Sequence, residues 1–277
     1  MATWMREAIT ATTSDLRAHP VPQQIRAGAH GTTLVDSAAA LLVWEPRRIV
    51  PSYAVPVHDV AADLVPATGH DGHDEHVVRI DADSGPMLDP SSGFDVHTSP
   101  GTPLDLVTAS RRLPAAAFAP DDPDLDGYVV LDWAAFDSWL EEGDTVVGHP
   151  HDPFSRIDCL HSGRHVQVVV DGTVLADSRR PVMLLETWLP VRYYLPRDDV
   201  RRDLFVPSAT TSVCAYKGTA TYWSYEAGSR THRDIAWSYP RPRHDAVPVS
   251  RMVAFFDERV DLVLDGVPQE RPVTPWS

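Results

Sequence analysis

"GTVLADSRRPVMLLETWLPVRYYLPRDDVRRDL", residues 172–204, has an earlier counterpart in "GTTLVDSAAALLVWEPRRIVPSYAVPVHDVAADL", residues 31–64. With one single-residue gap, Gly31 falls on Gly172, Asp36 on Asp177, Ser37 on Ser178 and Glu45 on Glu186. Past the gap, Tyr53 falls on Tyr193, Pro56 on Pro196, Asp59 on Asp199 and Leu64 on Leu204. Self-similarity of this density marks a repeated structural unit. We therefore expect two copies of one module: an N-terminal extension at 1–23, a first, degenerate copy at 24–148, a linker at 149–164 and a second copy at 165–277. The two copies are expected to pack on each other.

Both copies open with a hairpin signal. "VQVVVDGTVLADS" alternates around Asp171-Gly172, a dipeptide that supplies positive φ in a tight turn. "VMLLET" fits a buried strand, and Val260, Leu262 and Leu264 share one face at strand spacing. The first copy ends differently: in "LDWAAFDSWLEEG" Asp132 is placed to cap a short helix carrying Trp133, Phe136 and Leu140 on one face, with Gly143 stopping it. The expected class is mostly β, two compact antiparallel modules with one or two short helices.

A chain of 277 residues with 43% hydrophobic and 23% charged content can fill a real core. Its 25 prolines are spread out, which suits short strands and turns better than long helices. The net charge of −15 argues against a nucleic-acid partner and against an anionic membrane surface. Nothing approaches the roughly 20 apolar residues of a membrane span. Two cysteines make no disulfide framework, and the N-terminal run lacks an apolar core of leader length, so we expect a cytoplasmic protein.

"TTSVCAYKGTATYWSY", residues 210–225, holds the only lysine, Lys217, three residues after Cys214. If "SVCAYKG" is a plain strand, Cys214 and Lys217 point to opposite faces and cannot cooperate. If "AYKG" is a turn or bulge punctuated by Gly218, the ammonium can approach the thiol and favour the thiolate. The same lysine could hold an anionic ligand or, desolvated, act as a nucleophile. The plainer alternatives are a cysteine buried as a small hydrophobe and a lysine solvated at a turn. The first copy has "ATGHDGHDEHVVRID" at this place, without cysteine, tyrosine, lysine or tryptophan, so the segment is either a specialised site in the second copy or a decayed one in the first.

These residues carry a resemblance. Cys214, Tyr216, Lys217, Gly218, Ala220, Tyr222 and Trp223 match a C-P-Y-K-G-x-A-x-Y-W motif, with Ala215 in place of its proline. Ala236, Trp237, Tyr239 and Pro240 match A-W-x-Y-P, and "VAFFD" at 253–257 matches a third element. By these motifs the second copy resembles the family called domain of unknown function 427. With the "HPHDPFSRID" linker at 149–158, the resemblance spans residues 24–268. It implies a compact module of two sheets meeting at an angle, tent-like, and no established activity. The nucleotidyltransferase label sometimes given to the family finds no support here: no Gly-Ser precedes a D-x-D pair, and "DAD" at 81–83 stands alone.

The candidate catalytic residues are thus Cys214, Lys217 and Glu186, the last either paired with Lys217 or an arginine or sitting at a strand end. Tyr193, Tyr216, Trp223, Trp237 and Tyr239 are the candidate ligand-binding residues, as pocket walls for a small molecule or as core. Asp199, repeated at Asp59, suits a turn cap. No cofactor is implied. No metal is assigned: His70, His73 and His76 are spaced among acids, but in a glycine-rich loop. "DDPDLDG" from Asp121 imitates a calcium loop, yet Trp133 stands where the bidentate glutamate belongs. It reads as an acidic turn. The surviving functions are a small-molecule enzyme and a non-catalytic ligand- or protein-binding module.

Overall fold

The computed structural model describes residues 2–68, 75–80 and 85–277. Chain contacts divide the molecule into two compact units, one of Met1–Val78 and Ser84–Asp152 and one of Arg79–Asp83 and Pro153–Ser277. The protein is mostly β and its sheets are antiparallel. Among the described residues, no helix is long and apolar enough to cross a membrane.

The first unit holds α1 (Met5–Ala11), β1 (Arg17–Pro20), β2 (Ile25–Ala29), β3 (Thr32–Ser37), β4 (Leu41–Trp44), β5 (Ser52–Pro56) and β6 (Asp63–Pro66). It continues with β7 (Val77–Val78), β8 (Met87–Leu88), β9 (Gly101–Val107), β10 (Arg112–Pro120), β11 (Tyr128–Leu131), β12 (Ser138–Glu141) and β13 (Asp144–Thr145). One sheet runs β1-β4-β5-β11-β10-β9-β6 and a second runs β13-β12-β2-β3. Ile25, Leu42, Val55, Leu106 and Leu131 lie in the core of this unit.

The second unit holds β14 (Ile157–His161), β15 (Val166–Val170), β16 (Thr173–Ser178), β17 (Val182–Glu186), β18 (Arg192–Tyr194) and β19 (Phe205–Cys214). It ends with β20 (Gly218–Ala227), β21 (Arg230–Ser238), β22 (Ala254–Phe255), β23 (Asp261–Leu264) and β24 (Val267–Pro268). Its sheets run β14-β17-β18, β19-β20-β21-β22 and β16-β15-β23-β24. A Leu195–Val253 bridge, with hydrogen bonds of 2.8 and 2.9 Å, links the end of β18 to the start of β22. The resulting order, β14-β17-β18-β22-β21-β20-β19, is position for position that of β1-β4-β5-β11-β10-β9-β6.

The opening hairpins agree in detail. Ile25 pairs with Ser37 and Val166 with Ser178, and the register shifts after Ala27 in one and after Val168 in the other. Both turns carry positive φ at two successive residues, His30-Gly31 and Asp171-Gly172. That geometry matches the strand twist of a two-residue hairpin.

Three expectations change. Residues 17–20 form β1, paired with β4, and residues 157–161 form β14, paired with β17. The segments expected as extension and linker thus each supply a strand to a sheet. The helix expected over 132–143 is also absent: Asp132 accepts from Ala134 N at 3.0 Å to cap a single 3₁₀ turn, Trp133–Ala135, and Ser138–Glu141 is strand β12. Pairing of β12 with β2 buries Trp139 to 3% exposure under a stack with Trp133, which outweighs the local helical spacing. The acidic run from Asp121 is a turn, with Asp122 accepting from Asp124 N before β11 begins. His70, His73 and "DAD" lie outside the described residues.

Candidate functional site

In the second unit the strand period of two assigns side chains to two faces. Val182 and Leu184 of β17, Tyr194 of β18, Ala220 of β20, Trp237 of β21 and Ala254 of β22 belong to one buried cluster, with Cys159 of β14 and Tyr222 packed against it. Tyr193, Ile235, Ala236 and Phe255, their odd-numbered or even-numbered neighbours, belong to the cluster on the other face. Glu186 follows Val182 and Leu184 onto the first face. Cys214 pairs directly with Gly218, which shares parity with Ala220 and Tyr222, so the thiol belongs to that face as well.

Between β19 and β20, residues 215–217 form the turn. Gly218 has φ +88, where a β-carbon is strained even though the nearest atom, Arg241 O, is 3.5 Å from its ideal position. Of the two conformations left open by the sequence, the turn is the one found. Gly218→Ala is expected to lower stability by about 1–2 kcal/mol through backbone strain alone, read as a drop in the urea midpoint with unchanged slope.

The turn buries Lys217 to 7% exposure and aims its ammonium at Glu186, with Nζ donating to Oε2 at 2.5 Å. Burial by itself disfavours the ammonium, but the charge of Glu186, with Cys214 and Tyr194 adding to it, wins and holds Lys217 above the usual lysine range. An amine kept protonated is not available as a nucleophile. Its charge acts on Cys159 too: burial and Asp158 push that thiol up while Lys217 pulls the other way. Cys159 Sγ lies 3.7 Å from Asp245 O.

Further polar groups lie on the same face. Trp237 Nε1–H donates to the Tyr194 hydroxyl at 3.0 Å. Burial lifts the Tyr194 phenol above its ordinary value, against the opposing pull of Lys217, and burial lifts Tyr239 likewise. Both stay neutral. Arg192, on β18 two residues before Tyr194, places its guanidinium 5.8 Å from the Trp237 ring and the same distance from Trp276. It is paired with Asp257 at 3.1 Å and with Glu258, which also accepts from Thr274.

The candidate residues therefore separate. Cys214, Lys217, Glu186, Trp237 and Tyr239 share one face, and Tyr216 sits in the turn that carries Lys217. Tyr193 faces the other cluster and accepts from Arg164 at 3.3 Å. Trp223 pairs across the strands with Ala236, whereas Tyr222 pairs with Trp237, so Trp223 and Trp237 lie on opposite faces. No single pocket has both as walls. Asp199 accepts from Ser178 and Arg180, a turn-bracing role. Sequence reasoning passed over Cys159, Tyr194 and the Arg192–Asp257–Glu258 cluster. Only strand parity, once the strands are known, brings them to the site.

The repeat of Glu186 in the first unit has a different partner. Glu45 accepts from Ser99 Oγ at 2.8 Å and from the backbone N–H of Thr98 and Ser99, and contacts His97 Nδ1 at 3.0 Å. Burial pushes its carboxyl up, but these hydrogen bonds and His97 prevail and hold it below the usual range. Glu45 after β4 and Glu186 at the end of β17 are thus both satisfied carboxylates, with different partners.

Sheet order, motif and site together define an all-β module whose distinguishing feature is a buried lysine at a hairpin tip. Residues 158–266, within the second unit, match the family model described as domain of unknown function (DUF427). No curated protein matches the chain.

Proposed function

We propose that the second unit carries a small-molecule site centred on Cys214 and Lys217. In this reading Glu186 fixes the ammonium, and Tyr194, Trp237 and Tyr239 form the surrounding wall. The observation that carries it is a lysine 7% exposed yet held charged, beside a thiol at a hairpin tip. A charge kept in a low-dielectric setting acts strongly on whatever reacts or binds next to it. At the matching place the first copy has neither the lysine nor the cysteine.

Two chemistries follow from that site. In an enzyme, Cys214 is the nucleophile and the ammonium stabilises the oxyanion formed on the substrate. In a non-catalytic module, the same face holds a ligand. The close Lys217–Glu186 pairing supports this second version, because it spends much of the positive charge locally. The tandem arrangement is part of the proposal: shared strand order and matching hairpin bulges support duplication of one module. Two unbridged cysteines support a reducing, cytoplasmic setting.

The test compares alkylation of Cys214 at pH 7 in Cys159→Ser protein with and without Lys217→Met. The enzyme version expects the parent thiol to react in the folded state, roughly tenfold faster than in the variant. A thiol inert until the chain unfolds removes Cys214 from any chemical role and leaves the binding module.

A further inference from the structure

We propose that the second unit has a separate site for a planar aromatic anion, in the groove beside Trp223 on the face away from Lys217. The groove has a volume of about 250 Å³ and is lined by Arg197, Val200, Arg202, Phe205, Pro207 and Trp223. Ligand pockets for drug-sized molecules run from roughly 300 Å³ upward, so this one suits a ligand of one or two rings. Its floor is apolar and its aromatic wall is an indole, the surface on which a flat ring stacks well.

The charge of the groove sets the other half of the ligand. Arg197 Cζ lies 5.6 Å from the Trp223 ring centroid, so the guanidinium is already parked against the stacking surface. Neighbouring acids are taken by other arginines: Asp199 by Arg180 at 2.7 Å and Asp203 by Arg201 at 2.9 Å. Asp198 lines an adjoining groove with Asp177. Two guanidinium groups therefore line an apolar groove in a chain whose net charge is −15. A planar fork of N–H donors next to a ring matches a carboxylate or phosphate carried on an aromatic system.

The repeat supplies an independent comparison. Pro56 falls on Pro196, Val60 on Val200 and Asp63 on Asp203, which puts Val57 and Ala62 where the second copy has Arg197 and Arg202. The scaffold positions are kept, and both cationic groups belong to the second copy.

The full-length protein is titrated with 2-naphthoate and with 1-naphthyl phosphate, following the Trp223 indole N–H resonance. Neutral 2-naphthol and inorganic phosphate serve as separate probes. At least one aromatic anion is expected to shift that resonance with a Kd below about 1 mM. The neutral ring and the bare phosphate are each expected to bind at least about tenfold more weakly, as is the anion to Arg197→Gln/Arg202→Gln protein. Whichever anion binds better identifies the head group. Both arginines are exposed, so the variant keeps the fold. The Glu186→Gln/Lys217→Met protein is expected to bind as the parent does, which separates this site from the Cys214 site. No shift of the indole by either anion at about 5 mM, or undiminished binding by the arginine variant, overturns the proposal.

Discussion

Glu186→Gln is expected to lower the unfolding free energy by about 3–5 kcal/mol, because it leaves a buried ammonium without its counter-charge. Lys217 is 7% exposed, and burial alone pushes it toward the neutral amine. Glutamine keeps the shape of the side chain and removes only the charge. Lys217→Met is expected to cost less, since the stranded carboxylate of Glu186 is the more open partner, at 17% side-chain exposure against 9%. The double variant is expected to return to within about 1 kcal/mol of the parent, because it removes both charges together and strands neither. Urea unfolding of the four proteins gives the coupling directly. Lys217 is held above its unfolded value, so on the alkaline side its contribution holds up to pH of about 10 and is lost only in strong alkali. A glutamine variant within about 1 kcal/mol of the parent would mean that water screens the pair.

Arg192→Met is expected to be of similar size, about 3–5 kcal/mol, since it strips the cation from two buried carboxylates at once. Burial lifts Asp257 to about 6 from 3.8, against the pull of Arg192, with Glu258 adding to the rise. A carboxyl lifted in the folded state stabilises it while protonated. That contribution is full below pH of about 4 and fades as the pH climbs through about 6. Without Arg192 the carboxyl rises further, so the variant should lose stability more steeply than the parent between pH of about 5 and 8. Asp257→Asn removes that pH dependence and keeps the Arg192–Glu258 contact. A variant with the parent's pH profile would place Arg192 outside the energetics of this face.

Much of the fold is visible in the residues because similar signals recur in both halves of the sequence. A turn dipeptide with positive φ, an apolar run and a carboxylate recur in order at a nearly fixed spacing, and each has a local physical meaning. Gly218 marks the turn that brings Lys217 to Glu186 for the same reason. What the sequence hides depends on pairing between distant strands. Asp132 and the spacing of Trp133, Phe136 and Leu140 satisfy a helix locally, and only the pairing of β12 with β2 makes them strand. Trp223 and Trp237 fall on opposite faces because Trp223 pairs with Ala236 and Tyr222 with Trp237, a cross-strand register that alternation counted along the chain cannot supply. Arg192 meets Glu258 across 66 residues, and Cys159 sits in a strand that reads as linker.

The central claim is that Lys217 is buried and permanently charged against Glu186 beside Cys214. As the only lysine in the chain, it can be observed alone by labelling lysine with carbon-13 at Cε and following that resonance with pH. The account predicts one resonance that does not titrate up to pH of about 11, and one that titrates well below the reference of about 10.4 in Glu186→Gln protein. A parent resonance titrating at or below about 10.4, unmoved by loss of Glu186, would contradict it.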